Sequence, residues 1–194
     1  RDVNNCHIKP SQSYSSLIIS EGSFPDNYGR YKSKNKAVFR RVKRVHNDKL
    51  HYVLSKESDN FPRKEVIFLK EKMIALGLRR ADFLNSNRLL LLETLFNSHK
   101  LVISIIKTDM KIHGISFILR NSNEYLFWIS LFDNSKMIHI YNYISFIESV
   151  SGEDKICINF GRGVYDYKIT NFKPDVHSLF AIFIFKNRLQ KTVF

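Results

Sequence analysis

The stretch Ile158-Asn159-Phe160-Gly161-Arg162-Gly163-Val164-Tyr165-Asp166-Tyr167-Lys168 decides how this chain is read. A β-rich run ends there in two glycines, which let the backbone turn sharply or approach a ligand closely. Arg162, held between the glycines, offers a planar fork of donors suited to phosphate or carboxylate. Tyr167 and Lys168 add a hydroxyl and a mobile cation nearby. The same residues also read as a glycine turn with Arg and Lys in solvent, and spacing alone leaves both open. The segment matches a dinucleotide fingerprint poorly: it has only two glycines, and no suitable helix is expected after them.

Upstream, residues 155–160 form the strand, after a turn at Ser151-Gly152-Glu153-Asp154. Asp133-Asn134-Ser135 reads as the cap of a helix over 136–150. Before it lie three β-rich runs, 101–107, 111–120 and 124–132, with connections short enough for hairpins. The middle run is apolar on both alternating sets, as in a central strand. A helix between two strands predicts a crossover and one parallel pairing within a mixed sheet. Downstream, an aromatic stretch leads to a last strand over 176–186, buried in its apolar section.

Towards the N-terminus, the first fifteen residues read as irregular, Leu17-Ile18-Ile19 as a short strand, and 21–28 as a turn. From Arg30 to Arg44 there are many Lys and Arg and no acidic residue. Val38, Val42 and Val45, with Phe39 beside them, predict an amphipathic helix with a basic outer face. Residues 51–54 read as a strand. Asp59-Asn60-Phe61-Pro62 opens a helix that buries Val66, Leu69, Met73 and Leu76 and stops at Gly77. A leucine-rich helix over 87–96 follows, expected to be buried on most sides. The fold class is α+β: residues 1–27 an irregular N-terminal segment, residues 28–194 one domain with a central mixed sheet flanked by helices.

A length of 194 residues suits one domain, and 44% apolar with 25% charged residues is an ordinary globular mixture. There is no apolar run of about eighteen residues and no secretory leader pattern. Cys6 and Cys157 lie far apart without metal-like spacing, so reduced thiols, no metal and a cytoplasmic location are expected. The net charge of +13 favours an anionic partner: nucleic acid, a phosphorylated cofactor or an acidic lipid surface. A basic surface with no specific partner is the alternative. Beginning at Arg1, the chain reads as part of a longer protein whose preceding half would carry part of a site.

The segment Asn159-Phe160-Gly161-Arg162-Gly163, followed by Tyr167-Lys168, resembles the hallmark of the CelD-like (cellulose-biosynthesis-related) acetyltransferases, a GNAT-like family related to the FemAB-type transferases. That pattern is a strand ending Asp-Phe, one residue, Arg-Gly, three residues, and Tyr-Lys. The basic run Phe39-Arg40-Arg41-Val42-Lys43-Arg44 and the meander with Gly114 and an aromatic third strand are similar to the family's as well. Here Asn159 stands where the family usually has Asp, and Tyr165 where it often has an acid.

The resemblance implies a splayed sheet that admits an acyl-CoA, with the pyrophosphate at the start of the helix after the meander. Asn134, Ser135 and Lys136 become the cofactor contacts, and acetyl-CoA or another acyl-CoA the co-substrate. It places Arg162, Tyr167 and Lys168 around the phosphate or acceptor, with Asn159 orienting them. Asp133, Asp166, His113 and His139 are the candidate bases. The activity implied is N- or O-acyl transfer to a sugar, nucleotide-sugar or similar small anionic acceptor, as in polysaccharide biosynthesis. Two alternatives stay open: a FemAB-like aminoacyl transferase using aminoacyl-tRNA, and a non-catalytic binding module on the same fold.

Overall fold

The computed structural model describes residues 6–20, 24, 31–46, 49–55, 60–135, 137–152, 155–163 and 165–184. In chain order these form β1 (Cys6–Pro10), β2 (Tyr14–Ile19), α1 (Ser33–His46), β3 (His51–Ser55), α2 (Arg63–Ala75), α3 (Ser86–Asn97) and β4 (Leu101–Lys107). There follow β5 (Ile112–Asn121), β6 (Glu124–Phe132), α4 (Ile138–Val150), β7 (Ile156–Arg162), α5 (Asp166–Phe172), β8 (Asp175–His177) and β9 (Phe180–Ile184).

The expected meander is the heart of the main sheet, whose strand order is β3-β4-β5-β6-β7-β2-β8. Tight turns make β4, β5 and β6 antiparallel neighbours. Among the described residues only the β6–β7 pair is parallel, because α4 carries the chain across one face between them. Residues 114–118 of β5 are all buried, as a central strand covered on both faces requires.

Helices cover both faces. On one, α2 and α3 pack Val66, Leu69, Leu92 and Phe96 against Ile103, Ile115, Phe117 and Leu131. On the other, α1 and α4 pack Phe39, Val42, Ile144 and Ile147 against Ile118, Phe127, Ile158 and Phe160. One strand serves both cores out of phase. Tyr125 and Phe127 face α4, while Ile129 and Leu131 face α2 and α3, although all four positions are odd. A bulge at Trp128 explains it: Ile118 pairs with Phe127 and Phe117 with Ile129, so one extra residue reverses the alternation.

Several expectations are corrected. Within the stretch expected to be irregular, residues 6–10 form β1, which pairs with β9 in a second, two-stranded sheet, and β2 lies inside the main sheet between β7 and β8. The expected last strand is two: β8 pairs with β2, β9 with β1, and Phe180 is 58% exposed rather than buried. α1 buries Asn35, Phe39, Val42 and His46, leaving Val45 half-exposed. Phe39 sets that face, because its ring meets Tyr31, Phe24 and Phe172 at 5.1–5.7 Å. α3 exposes Leu90 and Leu91. α2 begins after Pro62 with no side-chain cap, and Leu76 leaves its buried face. Gly77 does stop α2, at φ +69°. The turn expected at 21–28 lies outside the described residues apart from Phe24, as do Glu153, Asp154 and residues 185–186. No described helix is long and apolar enough to cross a membrane.

Candidate functional site

The parallel ladder between β6 and β7 has only three residue pairs: Glu124 with Cys157, Tyr125 with Ile158, and Leu126 with Asn159. Beyond it both strands are irregular. β6 bulges at Trp128, and β7 passes through Gly161 at φ +74° and then Gly163 at φ +88°. A Cβ on Gly161 would lie 2.6 Å from the Phe127 carbonyl oxygen, so conformation and close approach both require glycine there. Asn159 Oδ1 accepts the Gly161 N–H at 2.9 Å and braces the turn. An Asp at that position would accept the same bond, so the departure at Asn159 leaves the turn intact.

Where the ladder ends, a cavity of about 1000 Å³ opens between the strands. Phe127 and Phe160 stack beneath it, and Tyr143 of α4 stands edge-on to both, 4.5 and 5.3 Å away. One turn earlier on α4, His139 meets Tyr167 edge-on at 4.6 Å. Trp128, Ser130 and Phe132 of β6 form one wall, and Met73, Leu78 and Arg79 at the end of α2 another. Arg162 stands exposed at the rim. No acidic side chain is among the described residues lining the cavity.

A helix does follow the glycine turn, contrary to expectation. α5 runs from Asp166 to Phe172 and sets Lys168 beneath Tyr165. Lys168 is not mobile: it is buried, its Nζ donates to the Phe160 carbonyl at 2.6 Å and lies 5.0 Å from the Tyr165 ring centre. Burial without a carboxylate partner lowers its pKa to about 8. Burial also holds the His139 pKa below its ordinary value, and raises those of Tyr143 and Tyr167, whose hydroxyls hydrogen-bond to each other. The site is therefore aromatic and cationic, with a histidine and two tyrosines that burial holds in their neutral forms and one lysine brought closer to losing its proton.

Of the residues expected in the site, Arg162, Tyr167 and Lys168 meet at this cavity, and Asn159 braces its edge through Gly161. The others lie elsewhere. Asp133 sits just past the far end of β6, where its carboxylate accepts from His113 at 2.9 Å and Lys111 at 3.1 Å, with Lys72 at 3.7 Å. Ser135 adds its backbone N–H and its hydroxyl. Burial opposes ionisation of Asp133, but the bonds from Ser135, Lys111 and His113 outweigh it and bring the pKa down to about 2. That leaves Asp133 a poor base, and it does not line the cavity.

Asn134 and Ser135 do not cap a helix. α4 starts at Ile138 behind Met137 (φ +58°), Asn134 is exposed at φ +65°, and Ser135 is spent on Asp133. Lys136 lies outside the described residues. Asp166, the first residue of α5, is exposed and does not line the cavity. Sequence reasoning did not single out Trp128, Ser130, Tyr143 or Arg79. Tyr143 had a signal, the i, i+4 spacing from His139. Trp128 and Ser130 had none, because the bulge that aims them shows only in the pairing with β5.

No family model and no curated protein matches the chain. Solved structures do. The C-terminal (DUF2156) domain of a putative lysylphosphatidylglycerol synthetase from Agrobacterium fabrum is similar over 97% of this chain and 64% of its own length, with a TM-score of 0.69 at 12% identity. A conserved protein of unknown function from Bacteroides thetaiotaomicron is similar over 92% of this chain and 62% of its own, with a TM-score of 0.63 at 14% identity. This chain thus spans less than two thirds of either. At such identities the likeness speaks for the fold: a large mixed sheet flanked by helices and opened between β6 and β7, a GNAT-like α+β fold.

Proposed function

We propose that this chain is an acyl-group transferase whose reaction centre is the cavity between β6 and β7. The observation carrying this reading is the convergence of His139, Tyr143, Tyr167 and Lys168 on one aromatic-lined cavity, where the parallel ladder ends. In the reaction, an acceptor amine or hydroxyl attacks the carbonyl carbon of an ester or thioester donor. The new C–N or C–O bond forms, the bond to the leaving group breaks, and the acceptor's proton ends on that group. His139, kept neutral by burial, suits the proton transfer. Arg162 and Arg79, with no carboxylate beside them in the cavity wall, suit an acceptor or donor carrying negative charge.

The donor implied by the resemblance is acyl-CoA, on a small anionic acceptor such as a sugar or nucleotide-sugar. A second reading, transfer from aminoacyl-tRNA, is favoured by the ground before α4. There the Ser135 N–H and hydroxyl are given to the Asp133 carboxylate, a negative charge that disfavours a phosphate beside it, while α1 exposes Lys34, Arg41 and Arg44 to a larger polyanion. The name of the Agrobacterium protein, a synthetase of an aminoacylated lipid, points the same way.

Thermal melting with acetyl-CoA, beside aminoacyl-tRNA at low and high salt, tests both. A ligand at about a hundred times its dissociation constant adds roughly 2.7 kcal/mol to stability. Stabilisation by acetyl-CoA that Arg162→Ala weakens supports the first donor, and salt-sensitive binding of the charged RNA the second. If neither binds and neither acyl group is transferred, the transferase reading is wrong.

A further inference from the structure

A chain of buried hydrogen bonds runs from the middle of the main sheet to the cavity wall. Ser104 of β4 donates to Asn142 Oδ1 at 2.8 Å, and Asn142 Nδ2 donates to Ser116 Oγ at 2.8 Å. The Ser116 and Ser130 hydroxyls are 2.8 Å apart. Ser104, Ser116 and Asn142 are fully buried, whereas Ser130 is half-buried and lines the cavity.

Counting donors fixes the direction of the chain. Among the described residues Ser104 bonds to Asn142 and is fully buried, so its hydrogen goes to the amide oxygen. That leaves the amide nitrogen towards Ser116, which must accept. The hydrogen of Ser116 then has one acceptor left, Ser130 Oγ. Were Ser130 to donate instead, Ser116 would keep a buried hydrogen with no partner, at a cost that native interiors avoid. Ser130 therefore receives a hydrogen bond and keeps its own O–H hydrogen, with the cavity as the polar space open to it.

We propose that Ser130 is an oxyanion donor for acyl transfer, polarised in one direction by Ser104, Asn142 and Ser116. The inference rests on the transferase reading. As the acceptor attacks, the carbonyl π electrons move to oxygen, and Ser130 donates its hydrogen bond to that oxygen. The electrons return as the leaving group departs, so Ser130 itself gains and loses no proton. A donor held in place from behind needs no reorganisation when the charge develops, which is the condition for a large effect on rate. Ser116 and Asn142 are positioning residues. They also tie α4, which carries His139 and Tyr143, to the strand that carries Ser130.

The test compares steady-state transfer by the wild type, Ser130→Ala, Ser130→Thr and Ser116→Ala, with folding followed by circular dichroism and thermal melting. Ser130→Ala is expected to lower kcat about 100-fold while KM changes less than about twofold. Ser130→Thr keeps the hydroxyl and should remain within about fivefold of the wild type, and Ser116→Ala should fall between Ser130→Ala and Ser130→Thr. If Ser130→Ala does not fold, Ser130→Cys, a weak donor of similar size, replaces it and should show the same loss of kcat. A folded Ser130→Ala with wild-type kcat, or one impaired in KM alone, overturns the proposal and leaves the transferase reading standing. A wild-type chain that transfers from neither donor brings down that reading and this proposal together.

Discussion

Two buried ionisable groups lie near β6, one just past its end and one at the wall of the cavity beside it, and the protein treats them differently. Asp133 accepts from His113, Lys111 and Ser135 and is saturated, so its charge is favoured in the fold and its pKa falls to about 2. Lys168 has one carbonyl and the face of a tyrosine, no carboxylate, and a pKa lowered to about 8. The first arrangement locks the end of a strand and has little proton chemistry left to offer. The second holds a group near neutrality at the wall of a cavity, a condition that stability alone would not select. Polar saturation separates a structural cluster from a candidate site better than residue type does.

The largest expected effect breaks the cavity itself. Gly161→Ala places a Cβ 2.6 Å from a carbonyl oxygen at a positive φ, and should cost roughly 3 kcal/mol in denaturant unfolding. An alanine tolerated within about 0.5 kcal/mol would mean that the turn relaxes freely and that β6 and β7 are not held apart there. Next comes Asp133→Asn, which keeps the shape and removes the charge that Lys111 and His113 face. A loss of about 2 kcal/mol at pH 7 is expected, with no change in cavity-dependent binding. Binding that collapses while the fold survives would move Asp133 back into the site.

The smallest effect is the most diagnostic, because the two regions respond to pH in opposite windows. Asp133 has a folded pKa below its unfolded one, so its contribution is present above about pH 4 and is lost as pH falls towards 2. For Lys168 the folded state disfavours the proton. Its penalty is therefore full below about pH 8 and is relieved as pH rises to about 10.5. Lys168→Met should change stability at pH 7 by no more than about 1 kcal/mol and should flatten the alkaline rise expected of the wild type. An alkaline profile unchanged by the substitution would show that Lys168 is not held buried with a lowered pKa.

Much of the framework was legible along the chain. The three β-rich runs, their short connections and the helix after them required a meander with one parallel crossover, because a chain can reach a parallel neighbour only by crossing a face. The two glycines around Arg162 were legible too, since few roles other than a tight turn or close approach call for that pattern. Less legible were the two ends. The aromatic stretch at 165–172 hid a short helix, and the last apolar run split between two sheets, because an apolar strand fits any open edge and its sequence does not name its partner.

The amino-acid sequence by itself determined the order of elements from β2 to β7, the basic surface of α1 and the position of the Gly161 turn, since each rests on neighbours within a few residues. Only the tertiary structure decided which polar residues share a cavity. Arg79, Trp128, Ser130, Tyr143 and Lys168 come from four separate elements or loops, and their convergence depends on a bulge, a three-pair parallel ladder and the packing of α4. Those are long-range relations, and local periodicity contains no record of them.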